Sequence, residues 1–224
     1  MRVAVLFTGG KDSTLALYQA IKEGYKVKCL VSMFPVREDS WMFHYPNIHM
    51  VKLLAASTEI PLVTSETSGI KEKEVNDLYT LIEKLEVDGL VSGAISSNYQ
   101  KTRIDKICLK LGLTSITPLW HEDELRILQK ILELEFSVII TGVYAYGFDE
   151  SWLGRGLTEK TVIDLKKLNR SYGISLVGEG GEYETLVLDA PLFKSRIEIV
   201  TAEKIWDGQS GHLQIKNAVL KEKR

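Results

Sequence analysis

The first residues that could do chemistry form a glycine-rich turn near the amino terminus. Residues 8–13 join a short apolar run, Val3–Phe7, to a segment with helical periodicity. Glycines let the backbone approach an anion closely, and a helix amino terminus offers N–H groups and the positive end of its dipole. The turn therefore predicts a phosphate-binding site. Its predicted binding residues are Thr8, Gly9, Gly10, Lys11, Asp12 and Ser13.

This turn does not match the best-known phosphate loops. A Walker A loop requires Gly-x-x-x-x-Gly-Lys followed by Ser or Thr. If Gly10 and Lys11 were its Gly-Lys pair, Val5 would replace the first glycine and Asp12 the Ser or Thr. The Gly-x-Gly-x-x-Gly pattern is absent from the turn as well. The structural alternative is a plain glycine turn with Ser13 as helix cap, and the added lysine and aspartate favour phosphate binding over it.

A second strand-to-helix turn is predicted at residues 93–103. If the helix begins near Ser97, then Tyr99, Gln100 and Arg103 share one helix face. An arginine placed there can hold a carboxylate or phosphate with two parallel hydrogen bonds. We therefore predict that Gly93 and these three residues bind substrate. The alternative is an ordinary solvated first turn.

Two aromatic segments are candidates for pocket walls. Trp120 ends the run Pro118-Leu119-Trp120 and is predicted to line a substrate pocket, with core packing as the alternative. Residues 142–155 combine glycines with aromatic side chains and follow another apolar run, Val138–Thr141. We expect this segment to lie at the same edge of the predicted sheet as the glycine-rich turn.

Two glutamates lie in a glycine-rich segment at residues 178–185. In an extended backbone, Glu182 and Glu184 point to the same face. Two carboxylates beside glycines suit a cation or an ammonium ion. The alternative is a glycine turn with solvated acids.

The order of apolar runs predicts an α/β fold. Strands alternate with helices over residues 1–143, which predicts a doubly wound parallel sheet of Rossmann-type layers, with Val138–Thr141 as its fifth strand. After Gly178, short strand-like runs without a long helix predict a small β-rich appendage at the carboxyl terminus. The predicted domains are residues 1–177, which bind the nucleotide, and residues 178–224, which bind the substrate.

Composition limits the function classes. The 224 residues carry a net charge of −2, which argues against a duplex nucleic acid partner. No run approaches the ~20 apolar residues of a membrane span. The two cysteines, Cys29 and Cys108, are far apart and predict neither a zinc site nor a disulfide framework. We predict a soluble, cytoplasmic protein without a membrane partner. The sequence does not determine the oligomeric state and is compatible with a homo-oligomer.

The motifs resemble those of a known family. Residues 8–13 resemble the [Ser/Thr]-Gly-Gly-x-Asp-Ser signature of the PP-loop ATP pyrophosphatases, which have an adenine nucleotide alpha hydrolase-like fold. Together with residues 93–103, 118–120 and 178–185, the chain resembles the diphthine–ammonia ligase (diphthamide synthetase) family along nearly its whole length. Thr8 stands where serine is commoner in that signature, and it keeps the hydroxyl group.

This resemblance implies an amidation that uses ATP and Mg²⁺. ATP would adenylate the carboxylate of diphthine, a modified histidine of translation elongation factor 2, and ammonium would supply the nitrogen that displaces AMP. The implied products are diphthamide, AMP and pyrophosphate. The resemblance gives Asp12 as the metal ligand and places adenine near Ser32. The residues with implied catalytic roles are Lys11, Arg103, Glu182 and Glu184.

Two other functions remain open at the level of sequence. A different PP-loop enzyme would adenylate another carboxylate or a tRNA base, because the turn alone does not identify the acceptor. A nucleotide sensor would need the turn but not residues 93–103 and 178–185. A tRNA thiolase is disfavoured because thiolation generally needs reactive cysteine pairs and a basic RNA-binding module, and neither is visible.

Overall fold

Five parallel strands form the sheet of the first unit, Met1–Trp120. The computed structural model describes residues 1–35, 47–68, 70 and 72–223. The sheet order is β3-β2-β1-β4-β5, and all neighbouring strands are parallel. The order reverses between β1 and β4, and open α/β sheets bind ligands outside the carboxyl ends of their strands at such a point. The strands are β1 (Arg2–Leu6), β2 (Lys26–Pro35), β3 (Leu62–Thr67), β4 (Gly89–Val91) and β5 (Thr114–Ile116).

Helices connect these strands and cover the sheet. On one face Ala4 and Leu90 join a buried cluster with Leu78 and Ile107, which lie on two of these helices. Val3 and Val5 of β1 point to the opposite face and are also fully buried, so both faces are covered. The predicted α/β class with a doubly wound parallel sheet is confirmed. The helices are α1 (Lys11–Lys22), α2 (Val51–Thr58, after a 3-10 turn at Ile48–Met50), α3 (Lys73–Ile82) and α4 (Asn98–Leu111).

The fifth parallel strand is not the one predicted. It is β5, which pairs with β4, whereas the prediction of Val138–Thr141 as the fifth strand was wrong. Within β5 only Ile116 is buried, so this short strand has no apolar run that would reveal it in the sequence.

An antiparallel sheet organises the second unit, His121–Arg224. Its order is β7-β6-β9-β8, and neighbouring strands are antiparallel. Strand β6 contains Val138–Thr141 and pairs on both sides, which explains its apolar sequence. The elements are α5 (Glu124–Glu133), β6 (Ser137–Val143), a 3-10 turn (Glu150–Trp152), α6 (Glu159–Tyr172), β7 (Tyr183–Asp189), β8 (Ser195–Trp206) and β9 (Gly211–Glu222).

The boundary between the units differs from the predicted division at residues 177/178. The predicted β-rich segment does form strands, but β7 and β9 pair with β6 and so share one sheet with residues that precede the predicted boundary. In the part of the chain that the structure describes, no helix has the length and hydropathy of a membrane span.

Candidate functional site

A hydrogen-bond network internal to residues 8–13 shapes the glycine turn. The hydroxyl oxygens of Thr8 and Ser13 lie 3.1 Å apart, and the Ser13 hydroxyl donates to the carbonyl of Gly10 at 3.1 Å. Helix α1 begins at Lys11 with Gly10 as its N-cap, so the interpretation of Ser13 as the cap was wrong. Gly9 has a φ of 80°, which favours glycine. The hydroxyl groups thus hold the turn at the helix start.

Residues after β4 pack tightly against this helix start. A side-chain carbon at Gly93 would lie 2.8 Å from the carbonyl carbon of Asp12 and 2.9 Å from the backbone nitrogen of Ser13. Only a residue without a side chain allows this approach. The carboxyl ends of β1 and β4 therefore meet at the point where the strand order reverses.

Two buried hydroxyl groups lie in the same segments. Thr14, in the first turn of α1, is fully buried, and Ser92, which precedes Gly93, is 3% exposed. Neither hydroxyl oxygen has a hydrogen-bond partner within the described residues. Buried polar atoms normally have a partner, so their presence here fits a site that receives a polar ligand. No sequence motif distinguishes Thr14 or Ser92 from other hydroxyl residues.

The side chain of Lys11 is buried. Its side chain is 2% exposed, and its Nζ atom lies 2.8 Å from Oδ2 of Asp12, whose side chain is 28% exposed. A lysine is almost never buried to this degree without a partner. The helix N-terminus, the ammonium group and the adjacent carboxylate therefore occupy one small region.

Ser32 supports the turn from the neighbouring strand. It is 3% exposed in β2, and its hydroxyl donates to the carbonyl of Phe7 at 2.6 Å. The amide of Phe7 in turn donates to the carbonyl of Val31 at 2.8 Å. The Ser32 side chain thus fixes the residue that precedes Thr8, and a role in adenine binding stays a prediction.

Arg103 and Tyr99 lie together on α4, as the helix spacing predicted. Ser97 is the N-cap and accepts a hydrogen bond from the backbone nitrogen of Gln100. The guanidinium carbon of Arg103 lies 3.5 Å from the centre of the Tyr99 ring, and the same group forms an ion pair with Glu72. A cleft of about 680 Å³, partly lined by Glu72, lies between the end of β3 and the start of α3.

Trp120 stands beside a lysine and an aspartate. The Lys101 Nζ atom lies 5.5 Å from the centre of the Trp120 ring and 2.8 Å from Asp105. Burial alone would raise the pKa of Asp105, but the hydrogen bonds from Lys101 and Ser115 lower it. Trp120 is half-buried, so one part of its ring packs and another part reaches solvent.

Glu182 is engaged by the backbone of its own loop. One carboxylate oxygen accepts a hydrogen bond from the backbone nitrogen of Ser175, and the other accepts from that of Gly180, both at 2.9 Å. The carboxylate of Glu124, the first residue of α5, accepts hydrogen bonds from the Ser175 hydroxyl at 2.8 Å and from the Leu176 backbone nitrogen at 2.7 Å. Two carboxylates therefore hold the glycine loop in shape. Glu124 was not predicted as a site residue, because a single acid at a helix start has no distinguishing pattern.

Glu184 has a different position from Glu182. It is half-buried in β7 and pairs across the strands with Gly142 of β6. Residues directly opposite in an antiparallel pair have their side chains on the same face. Because Gly142 has no side chain, the ring of Tyr144 takes that place beside Glu184.

The described residues do not build a complete protein metal site. None of them form a group of three or more His, Cys, Asp or Glu side chains that could hold an ion. Magnesium usually keeps several waters and binds substrate phosphates through one or two carboxylates. Asp12 therefore fits as one ligand of a magnesium ion that arrives with a nucleotide.

Comparisons with known proteins cover both units. Residues 1–115 match the family described as the diphthamide synthase N-terminal domain, and residues 123–221 match the diphthamide synthase C-terminal domain. The protein named diphthine–ammonia ligase in Mus musculus is 34% identical over 92% of this chain and 85% of its own. The protein of that name in Schizosaccharomyces pombe is 33% identical over 98% of this chain but only 40% of its own.

One solved structure resembles the chain more distantly. It is described as a predicted subunit of tRNA methyltransferase from Methanocaldococcus jannaschii. The match has a TM-score of 0.49 and 17% sequence identity, and it covers 85% of this chain and 98% of the other. A likeness at this level supports no argument about function.

Proposed function

The chain belongs to the diphthamide synthase family, and on this basis we propose that it is a diphthine–ammonia ligase that uses ATP. Its acceptor is the carboxylate of diphthine on elongation factor 2, and ammonium supplies the nitrogen. The observation that carries the proposal is the match of both units to relatives named for this reaction. The geometry of the glycine turn supports the use of a nucleotide.

The proposed reaction has two balanced steps. A carboxylate oxygen of diphthine attacks the α-phosphorus of ATP, and pyrophosphate leaves with the bonding electrons. Ammonia then attacks the acyl carbon, AMP leaves and one proton is released. Adenylation is needed because a free carboxylate has no adequate leaving group.

The turn at residues 8–13 would bind the pyrophosphate portion of ATP. The N-terminal N–H groups of α1 and the Lys11 ammonium group would stabilise the charge that develops as pyrophosphate leaves. Asp12 would help to hold a magnesium ion, which would supply further positive charge at the same place. Gly93 supports this role, because its close packing on Asp12 and Ser13 fixes the position of the helix start.

We propose that α4 and the Glu184 region serve the acceptor. Arg103 would orient a carboxylate by exchanging its partner Glu72 for the substrate, with Tyr99 and Gln100 on the same helix face. Trp120 would contribute an aromatic wall. Glu184 would attract the incoming ammonium ion and take its proton as a general base. Glu182 would support this role by holding the loop that precedes β7.

The direct test is amide formation on the protein acceptor. The purified chain is mixed with ATP, magnesium, ammonium and elongation factor 2 that carries diphthine, and the factor is examined by mass spectrometry. We expect conversion of the acid to the amide only when ATP and ammonium are both present. An unchanged factor would contradict the proposal, and nucleotide turnover with another acceptor would indicate a different adenylating enzyme of the same superfamily.

A further inference from the structure

The loop after β6 places an aromatic ring beside Glu184. The backbone nitrogen of Tyr144 donates to the carbonyl of Glu182 at 2.9 Å, which extends the β6–β7 pairing by one residue. A side-chain carbon at Gly142 would lie 2.6 Å from the Tyr144 hydroxyl oxygen and 2.8 Å from ring atom Cε2. The ring of Tyr144 is therefore folded back over Gly142.

This arrangement places the phenol ring of Tyr144 beside Glu184 of the neighbouring strand. Gly142 pairs with Glu184, and the Tyr144 ring occupies the place that a side chain of Gly142 would take. Cross-strand partners have their side chains about 5 Å apart. Burial raises the pKa of Tyr144, and the negative charge of Glu184 raises it further, which agrees with this proximity.

The ring is exposed and the glutamate is partly exposed. Tyr144 is 43% exposed and Glu184 is half-buried. A negatively charged group next to an accessible aromatic ring attracts organic cations. A small ammonium ion can bind the carboxylate through its N–H groups without an aromatic ring. A quaternary ammonium group has no N–H donors, so contact with the aromatic face contributes more to its binding.

We propose that Tyr144 and Glu184 recognise the quaternary ammonium group of the acceptor, with Tyr144 as a specificity-determining residue. The inference rests on the proposed function, because diphthine carries a trimethylammonium group on the carbon that bears its carboxylate. Glycine betaine reproduces that arrangement in a small molecule. Its isostere 3,3-dimethylbutanoate has an uncharged tert-butyl group in place of trimethylammonium, so it keeps the shape and the carboxylate without the positive charge.

The test compares these two molecules on four variants. Tyr144→Leu removes the ring, and Tyr144→Phe keeps it without the hydroxyl. Gly142→Ala keeps the tyrosine but displaces its ring, since the added carbon meets the mobile end of that side chain. Tyr146→Leu is the matched control, because Tyr146 is 82% exposed and packs edge-on against Tyr172 at 5.2 Å.

Dissociation constants for both molecules are measured by ligand-observed NMR on the full chain. We expect wild type, Tyr144→Phe and Tyr146→Leu to prefer glycine betaine over the isostere. In Tyr144→Leu and Gly142→Ala the affinity for betaine should fall by about two- to fivefold, the range of an exposed cation–π contact, while the affinity for the isostere stays constant. KM for the modified elongation factor should rise by a similar factor.

Unchanged betaine affinity in Tyr144→Leu would overturn the inference, as would an equal loss of affinity for both molecules. Failure of the proposed function has a different signature. The wild-type chain would then form no amide on the elongation factor, whatever its affinity for betaine. The NMR measurement needs no turnover and therefore decides the role of Tyr144 in either case.

Discussion

Gly93 lies so close to Asp12 that a side-chain carbon at position 93 would stand 2.8 Å from the Asp12 carbonyl carbon. The contact joins the second residue after β4 to the first turn of α1, at the place where the strand order reverses. Backbone atoms on the α1 side cannot move away without moving the glycine turn. The shape of the predicted phosphate site therefore depends on the absence of a side chain at Gly93.

Gly93→Ala should weaken ATP binding because the added carbon displaces the start of α1. Overpacking of this kind costs about 1–3 kcal/mol. We expect the ATP dissociation constant to rise by about tenfold. Calorimetry measures the affinity, and denaturant unfolding measures the stability. Gly156→Ala is the control, since its added carbon would meet nothing closer than 3.9 Å. Wild-type ATP affinity in Gly93→Ala would show that the contact does not shape the site.

Lys11→Met should slow AMP formation more than it disturbs folding. A charge-assisted contact contributes roughly 1.5–3 kcal/mol, so the rate should fall by about ten- to a hundredfold if the contact tightens in the transition state. The substitution also leaves Asp12 without its 2.8 Å ion pair. The double variant Lys11→Met/Asp12→Asn removes that charge and should recover thermal stability without recovering the rate. An undiminished AMP rate in Lys11→Met would remove this lysine from the mechanism.

Glu182→Gln and Glu184→Gln should separate loop support from acceptor chemistry. A glutamine at 182 has one accepting oxygen for two backbone donors, so the free energy of unfolding should fall by about 1–3 kcal/mol. Glu184→Gln removes neither of these two hydrogen bonds and should lower stability less. Both variants should keep ATP affinity near that of wild type and lose most amide formation, which calorimetry and mass spectrometry measure. Full amidation by Glu184→Gln would contradict its proposed role.

Both cysteines should resist thiol reagents in the folded protein. Cys29 and Cys108 are free and buried, and burial raises the pKa of Cys108 to about 11. Neither should react with a disulfide reagent at pH 8, and both should react after denaturation. Because the folded pKa is raised, the contribution of Cys108 to stability is complete below pH 9 and is lost as pH rises towards 11. Cys108→Ala should make the loss of stability between pH 9 and pH 11 smaller. Rapid labelling of the native protein would contradict the burial of the two thiols.

Much of the first sheet could be predicted because buried parallel strands have continuous apolar sequences. Strand β1, at Arg2–Leu6, differs by one residue at each end from the apolar run Val3–Phe7. Strand β5 was missed because it has one buried residue in three. Val138–Thr141 was placed in the wrong sheet because a central antiparallel strand is as apolar as a parallel one, and strand direction is not encoded in that pattern.

The residue types of the candidate site were visible in the sequence, but their partners were not. The turn at residues 8–13 stands out by its spacing, and the helix pattern placed Tyr99 next to Arg103. The partner Glu72 is 31 positions from Arg103, and Glu124 is 51 positions from Ser175, so both contacts depend on tertiary structure. The same holds for the burial of Lys11, which no local pattern predicts.

The most direct test of the account follows an oxygen atom through the reaction. Elongation factor 2 carrying diphthine labelled with a heavy oxygen isotope in its carboxylate is incubated with the chain, magnesium, ATP and ammonium. An acyl-adenylate intermediate requires one labelled oxygen to leave on the phosphate of AMP, with unlabelled pyrophosphate as the other product. Label in inorganic phosphate together with ADP would contradict the account, because it would mean attack on the γ-phosphorus and an acyl phosphate instead.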